Sequence, residues 1–224
     1  MALAFSLTNN LVLLGNVAPL PDDSPDGTCV GKVLKIKVEP QNQNNWCWAS
    51  VGAAVARAFE DPNPAEGTLC GVASRVCELV CCPQGVKGAV KSCDAPDELE
   101  KFDINGINKG ALGKHLNTNP IPQDVDKTFP FVQDKINQGI PIAVKVSHPK
   151  TVGHFVIISG YCVMANTQYI FVGEPRTGQR VRVDFTGFLT RYQGDGVWDH
   201  TYVTQGLPPE NGQPQGIQQV PEEV

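Results

Sequence analysis

The sequence predicts an α+β fold, with helices in the first half of the chain and an antiparallel sheet in the second. Two changes of pattern carry that prediction. Residues 48–59, WASVGAAVARAF, are rich in Ala, with small residues on one side, which suits a helix packed closely on a sheet. From residue 141 the period changes: PIAVKVS, HFVIISGY, QYIFVG and QRVRVDF follow as β-branched or aromatic runs separated by turns. The third observation is compositional. With 22 Gly and 18 Pro in 224 residues, turns are too frequent for a helical bundle, while 41% hydrophobic residues suffice for a buried core.

Taken in order, residues 1–30 are expected to be a flexible or pro-like segment that includes the turn-rich PDDSPDGT. VLKIKVEPQ alternates apolar and basic residues and is expected to be a strand stopped by Pro40. The helix over 48–59 is bounded by Asp61-Pro62. The Cys-rich stretch 68–82 suits a second helix, within an insert over 68–96, and residues 96–117 suit two short helices. FPFVQDKINQG is expected to be a helix with Gly139 as its stop, and the four strands follow. Residues 31–206 make the one domain expected. The Pro-, Gln- and Glu-rich end, 207–224, is expected to be a disordered tail.

Charge and hydropathy narrow the partners. With 18 basic and 23 acidic side chains and a net charge of -5, there is no basic footprint for nucleic acid, and no such partner is expected. Apolar runs such as LVLLG fall far short of the roughly 18 residues a membrane helix needs, so no membrane partner is expected either. No Lys or Arg precedes the apolar stretches of MALAFSLTNNLVLLG, which argues against a secretory leader. Cytoplasmic residence and signal-independent export both fit. Nothing in the sequence sets an oligomeric state.

The chemistry concentrates at QNQNNWCWAS. Cys47 stands where a helix starts, with Asn44 or Asn45 as the expected N-cap. There a thiol meets unpaired N–H groups and the positive end of the helix dipole, and both favour thiolate. The alternative is a small buried residue between Trp46 and Trp48. Gln41, six residues earlier, carries an amide that could join the backbone N–H of Cys47 around a developing oxyanion.

A thiolate needs a base, and there are four histidines. His154 follows a glycine at the entry of the strongest strand, where rigid backbone would aim it into a cleft. A lone histidine at a strand end can equally be structural. His115 is expected in a solvated stretch, His148 precedes Pro149 in a turn, and His200 lies near the end. HFVIISGY and QYIFVGEP are joined by CVMANT, a hairpin length and composition. Folding the chain back there brings His154 opposite roughly residues 174–177, which makes Glu174 the candidate orienter of the imidazole. Asp184, Asp195 and Asp199 are its rivals.

Of the eight cysteines, seven remain to be placed, five of them within residues 70–93. The spacing C-x6-C-x3-C-C-x10-C lacks paired C-x2-C knuckles, so no metal is expected. Cys70, Cys77 and Cys81 would share a helix face, which suits packing and disulfide pairing equally well.

The order Q-x5-C-W, then G-H before an apolar strand, then an acid-Pro pair about twenty residues on, resembles the papain-like cysteine proteases. It is most similar to their bacterial branch, with its effector-type papain-like peptidase domains. The resemblance covers about residues 33–205. It implies a two-lobe fold, with an N-terminal helical lobe bearing the nucleophile on a central helix and a C-terminal antiparallel sheet or half-barrel. It implies a thiol protease in which Cys47 is the nucleophile, His154 the base, Gln41 the oxyanion donor and Glu174 the orienter. Peptide bonds would be hydrolysed through a thiolate–imidazolium pair and an acyl-enzyme, with a protein or peptide as substrate and no cofactor. The chain departs from the pattern in three ways. NNWCW stands where the plant-type C-G-[SA]-C-[WY] signature would be. The gap from Cys47 to His154 is 107 residues, against roughly 130–150 in that signature. Glu replaces the usual Asp or Asn orienter. The same site would also suit an acyltransferase or deamidase, and the same fold an inactive binding protein.

Overall fold

The computed structural model describes residues 18–19, 29–83, 91–121, 125–149 and 153–207. Most of the segment 1–30 and nearly all of 207–224 therefore lie outside the described residues. One seven-stranded sheet organises the rest. Its strands are β1 (Ala18–Pro19), β2 (Val30–Val33), β3 (Ile142–Ser147), β4 (His154–Met164), β5 (Thr167–Glu174), β6 (Gln179–Asp184) and β7 (Val197–Val203). The order is β1-β6-β5-β4-β3-β7, and every pairing is antiparallel. β4 is the 11-residue backbone of the sheet. Its first half pairs with β3 and its second half with β2.

Four α-helices cover the sheet on both sides: α1 (Cys47–Ala58), α2 (Leu69–Cys77), α3 (Phe129–Asn137) and α4 (Phe185–Arg191). Strand alternation divides the core in two. Ala143, Phe155, Ile157 and Tyr202 face α1 and α2, while Val144, Val156, Ile158 and Val172 pack with α3 and α4. The fold is thus α+β with an antiparallel sheet, as the sequence predicts, and helices lie on both faces of that sheet. α1 buries ten of its twelve residues, and its small side chains permit this. A Cβ at Gly52 would come within 2.5 Å of the Ala111 carbonyl, so the helix could not lie this close with any larger residue there.

Several local expectations need correction. The strand expected at VLKIKVEPQ lies earlier, at Val30–Val33. Beyond it the chain leaves the sheet so that Ile36 and Val38 enter the α1 side of the core. Side chains then take the backbone carbonyls that a neighbouring strand would have bonded: Arg180 donates to Leu34, Arg57 to Lys37 and Ser50 to Glu39. Residues 96–117 contain no α-helix; they hold a 3-10 turn at Gly113–His115 and bridges from Phe102 to Asn108 and from Leu116 to Thr204. Arg75 holds this stretch by donating to the carbonyls of Gly110 and Ala111, and Asn108 by donating to those of Leu99 and Gly113. His115 is buried, not solvated: it lies between the Asp61 carboxylate and the Gln205 carbonyl. The helix over the Cys-rich stretch is shorter than 68–82, because Glu78 turns left-handed at its end.

Six of the eight cysteines are paired, as Cys29–Cys162, Cys70–Cys82 and Cys81–Cys93, and Cys47 and Cys77 are free.

Candidate active site

α1 begins at Cys47, and Trp46 occupies its N-cap position without a side-chain hydrogen bond to the helix. The expected cap is absent because Asn45 is engaged elsewhere. Its amide donates to the Asp94 carbonyl and carboxylate, and its backbone N–H donates to the same carboxylate. The indole N–H of Trp46 donates to the Cys93 carbonyl at 2.7 Å and that of Trp48 to the Ala95 carbonyl at 3.1 Å. The insert thus braces the loop from three points, and the N-cap residue gives no side-chain hydrogen bond to the first turn of α1. Helix N-termini present unpaired N–H groups, which suit a sulfur anion or an oxyanion.

Cys47 opens onto a cleft of about 280 Å³ whose walls include Trp48, Lys145, His154 and Arg176. A larger hollow of about 470 Å³ runs along β7. It contains none of the four residues picked from sequence, whereas the smaller cleft contains two of them, Cys47 and His154.

His154 is the first residue of β4 and is only 3% exposed. Its Nε2 lies 2.8 Å from Glu174 Oε1, and the ring shares the cleft with the Cys47 thiol. With Nε2 taken by Glu174, Nδ1 is the nitrogen left for the thiol. Burial works against a charged imidazole here. The influence of Cys47 and Glu174, including the negative charge of both groups, outweighs it and brings His154 up to about 9.

Glu174 ends β5 and is buried with all its acceptor positions used. Oε1 accepts from His154 and from the Arg176 backbone N–H at 2.9 Å. Oε2 accepts from the Tyr192 hydroxyl at 2.8 Å and the Gln193 amide at 2.6 Å. Burial disfavours the carboxylate, but these bonds and the facing imidazolium hold Glu174 below its ordinary range. Burial and the adjacent Glu174 charge push Tyr192 well above its usual value, so it stays a donor.

The structure therefore brings Cys47, His154 and Glu174 together. It sets Gln41 differently: its amide donates to the carbonyls of Gln43 at 2.9 Å and Asn44 at 2.8 Å, beneath the turn before α1. Its Oε1 is buried without a hydrogen-bond partner among the described residues. The rival acids are occupied elsewhere. Asp184 caps α4, Asp195 meets His148 Nδ1 at 2.8 Å, and Asp199 accepts from Ser147. Sequence reasoning did not find Tyr192, Gln193, Arg176 or Asp94. No local motif marks them, and only the return of the chain after α4 brings Tyr192 and Gln193 back to Glu174.

A family model described as Peptidase_C39 like family matches residues 108–198. The matched stretch holds His154 and Glu174 and leaves Gln41 and Cys47 outside it. The match supports a cysteine peptidase-like family and, with it, a protein or peptide substrate. A search of curated proteins finds no match.

Proposed function

We propose that this protein is a papain-like cysteine peptidase of the bacterial, effector-type branch, with Cys47 as nucleophile, His154 as acid and base, and Glu174 as orienter. One observation carries the reading: His154, bonded to a buried carboxylate, shares a cleft with a free thiol at a helix start that has no side-chain cap. The family match and the motif order support it. In two-lobe terms, α1 with the Cys-rich insert is one wall of the cleft and the start of β4 is the other.

The Cys47 thiolate attacks the peptide carbonyl carbon, and the carbonyl electrons move onto oxygen. The backbone N–H of Cys47, at the first position of α1, is assigned as the donor to that oxyanion. Collapse of the tetrahedral intermediate breaks the C–N bond, and the His154 imidazolium gives its proton to the leaving amine. Water then attacks the thioester as His154 takes a proton, releasing the acid and restoring the thiolate–imidazolium pair. Glu174 holds the ring throughout and keeps its own charge. Gln41 joins the oxyanion site only if its amide releases the carbonyls of Gln43 and Asn44.

Cys47→Ala is expected to abolish hydrolysis of an unstructured protein such as casein while circular dichroism shows an intact fold. Retained hydrolysis in the folded variant would refute the proposal. Product analysis by mass spectrometry separates hydrolysis from acyl transfer and from deamidation. Gln41→Ala is expected to lower kcat by roughly 10- to 1,000-fold with KM little changed, since such a donor acts mainly on the developing charge. An unchanged kcat assigns the oxyanion to backbone donors. The three disulfides favour an oxidising compartment as the place of action.

A further inference from the structure

Cys77 is a free cysteine at the end of α2, only partly exposed. Its sulfur and those of Cys81 and Cys93 all lie within 4.8 Å of one another, and Cys81 and Cys93 are bonded to each other. A thiol this close to a disulfide has the partner that exchange chemistry requires. The mechanism proposed for Cys47 makes no use of it.

We propose that Cys77, Cys81 and Cys93 form a thiol–disulfide exchange centre, in which Cys77 displaces Cys81 and pairs with Cys93. Cys77 loses its proton and its thiolate attacks Cys93 Sγ. The Cys77–Cys93 bond forms as the Cys81–Cys93 bond breaks, and the electron pair leaves on Cys81 Sγ, which takes up a proton. One disulfide and one thiol are present before and after, so no oxidant or reductant is needed.

Chain geometry selects Cys93 over Cys81 as the target. Cys77 and Cys81 are only four positions apart across the left-handed turn at Glu78. A bond between them would also untie the segment that holds Trp46 and Asn45. Pairing Cys77 with Cys93 keeps that segment tied to the end of α2. The loop lengthens from 12 to 16 positions, a closure difference of only about 1.5-fold. Burial and the Asp97 charge raise Cys77, and Lys101 opposes them, so mildly alkaline solution supplies more of the attacking thiolate.

The exchange is independent of hydrolysis, and so is its test. The full chain is held without reductant at mildly alkaline pH, trapped with N-ethylmaleimide at intervals and mapped by peptide mass spectrometry. The expected result is a Cys77–Cys93 cross-linked peptide that grows together with the label on Cys81. Cys77→Ser, which removes no disulfide, is expected to keep the label off Cys81. Label confined to Cys47 and Cys77 at every time overturns the proposal, as does a Cys77–Cys81 pair or label on Cys81 that persists in the Cys77→Ser variant.

Discussion

The molecule contains two buried histidine–carboxylate pairs of nearly the same construction. His115 meets Asp61 and His154 meets Glu174, each through Nε2 at 2.8 Å, and both histidines are 3% exposed. They differ in what the second ring nitrogen faces. In His115, Nδ1 lies against the backbone carbonyl of Gln205, and the ring stacks on Phe59. That arrangement ties the segment just after β7 to the loop after α1. The His154 ring instead shares a cleft with the free Cys47 thiol. A buried pair of this kind does not by itself mark a reactive centre: the partner on the far side of the ring decides whether a proton has somewhere to go.

Replacing the two histidines separates these roles. His154→Ala is expected to eliminate hydrolysis. His115→Ala is expected to leave kcat of the folded protein intact and to lower unfolding stability by about 2 kcal/mol, because Asp61 Oδ2 loses its hydrogen-bond partner while Oδ1 keeps only the Asn63 backbone N–H. Denaturant titration and initial rates on the same preparations measure both. A His115→Ala protein that stays folded but does not hydrolyse would erase the distinction.

The carboxylates sharpen it. Glu174→Ala is expected to slow hydrolysis by roughly 10- to 100-fold, since an imidazole free to turn still meets the thiol part of the time. Glu174→Gln should do better than Glu174→Ala, because an amide oxygen still accepts the ring N–H. Glu174→Asp should show a partial loss, since β5 fixes the backbone and the shorter side chain falls short. Equal rates in all three variants would make Glu174 a bystander.

The smallest effect is on pH dependence. His154 sits at about 9, above its ordinary 6.5, so protonation stabilises the fold. That contribution is complete below about pH 6.5 and is lost as pH rises through about 9. Glu174 is held below its ordinary 4.5, so its contribution is present above that value and is lost as pH falls through the lower one. Hydrolysis should therefore fall across about pH 9, where the imidazolium that protonates the leaving amine disappears. A rate still rising at pH 10 would contradict this assignment.

Much of this was legible in the sequence, for identifiable reasons. α1 announced itself through its alanines, and β3 to β6 through β-branched runs and turns. Counting back from the β4–β5 turn put Glu174 near His154, and the pairing of Ile157 with Gly173 does leave it at the same end of the sheet. Residues 34–40 and 96–117 were not legible, because distant arginine, serine and asparagine side chains hold their backbone and leave no local period. For the same reason Asn45 read as a helix cap: its true partner, Asp94, is 49 residues away. The placement of Gln41 was equally hidden, because any amide six residues before a cysteine reads the same whether it faces the cleft or the turn beneath it.

The disulfide between Cys29 and Cys162 joins positions 133 residues apart. It encloses Cys47 and His154 within a single covalent ring. A backbone cut anywhere between those cysteines, including one the protein makes in itself, opens the ring without dividing the molecule. On a gel run without reductant such a nicked protein would migrate as one species, and added thiol would resolve it into pieces. Nicking inside this span would therefore leave the candidate nucleophile and its histidine joined by covalent bonds.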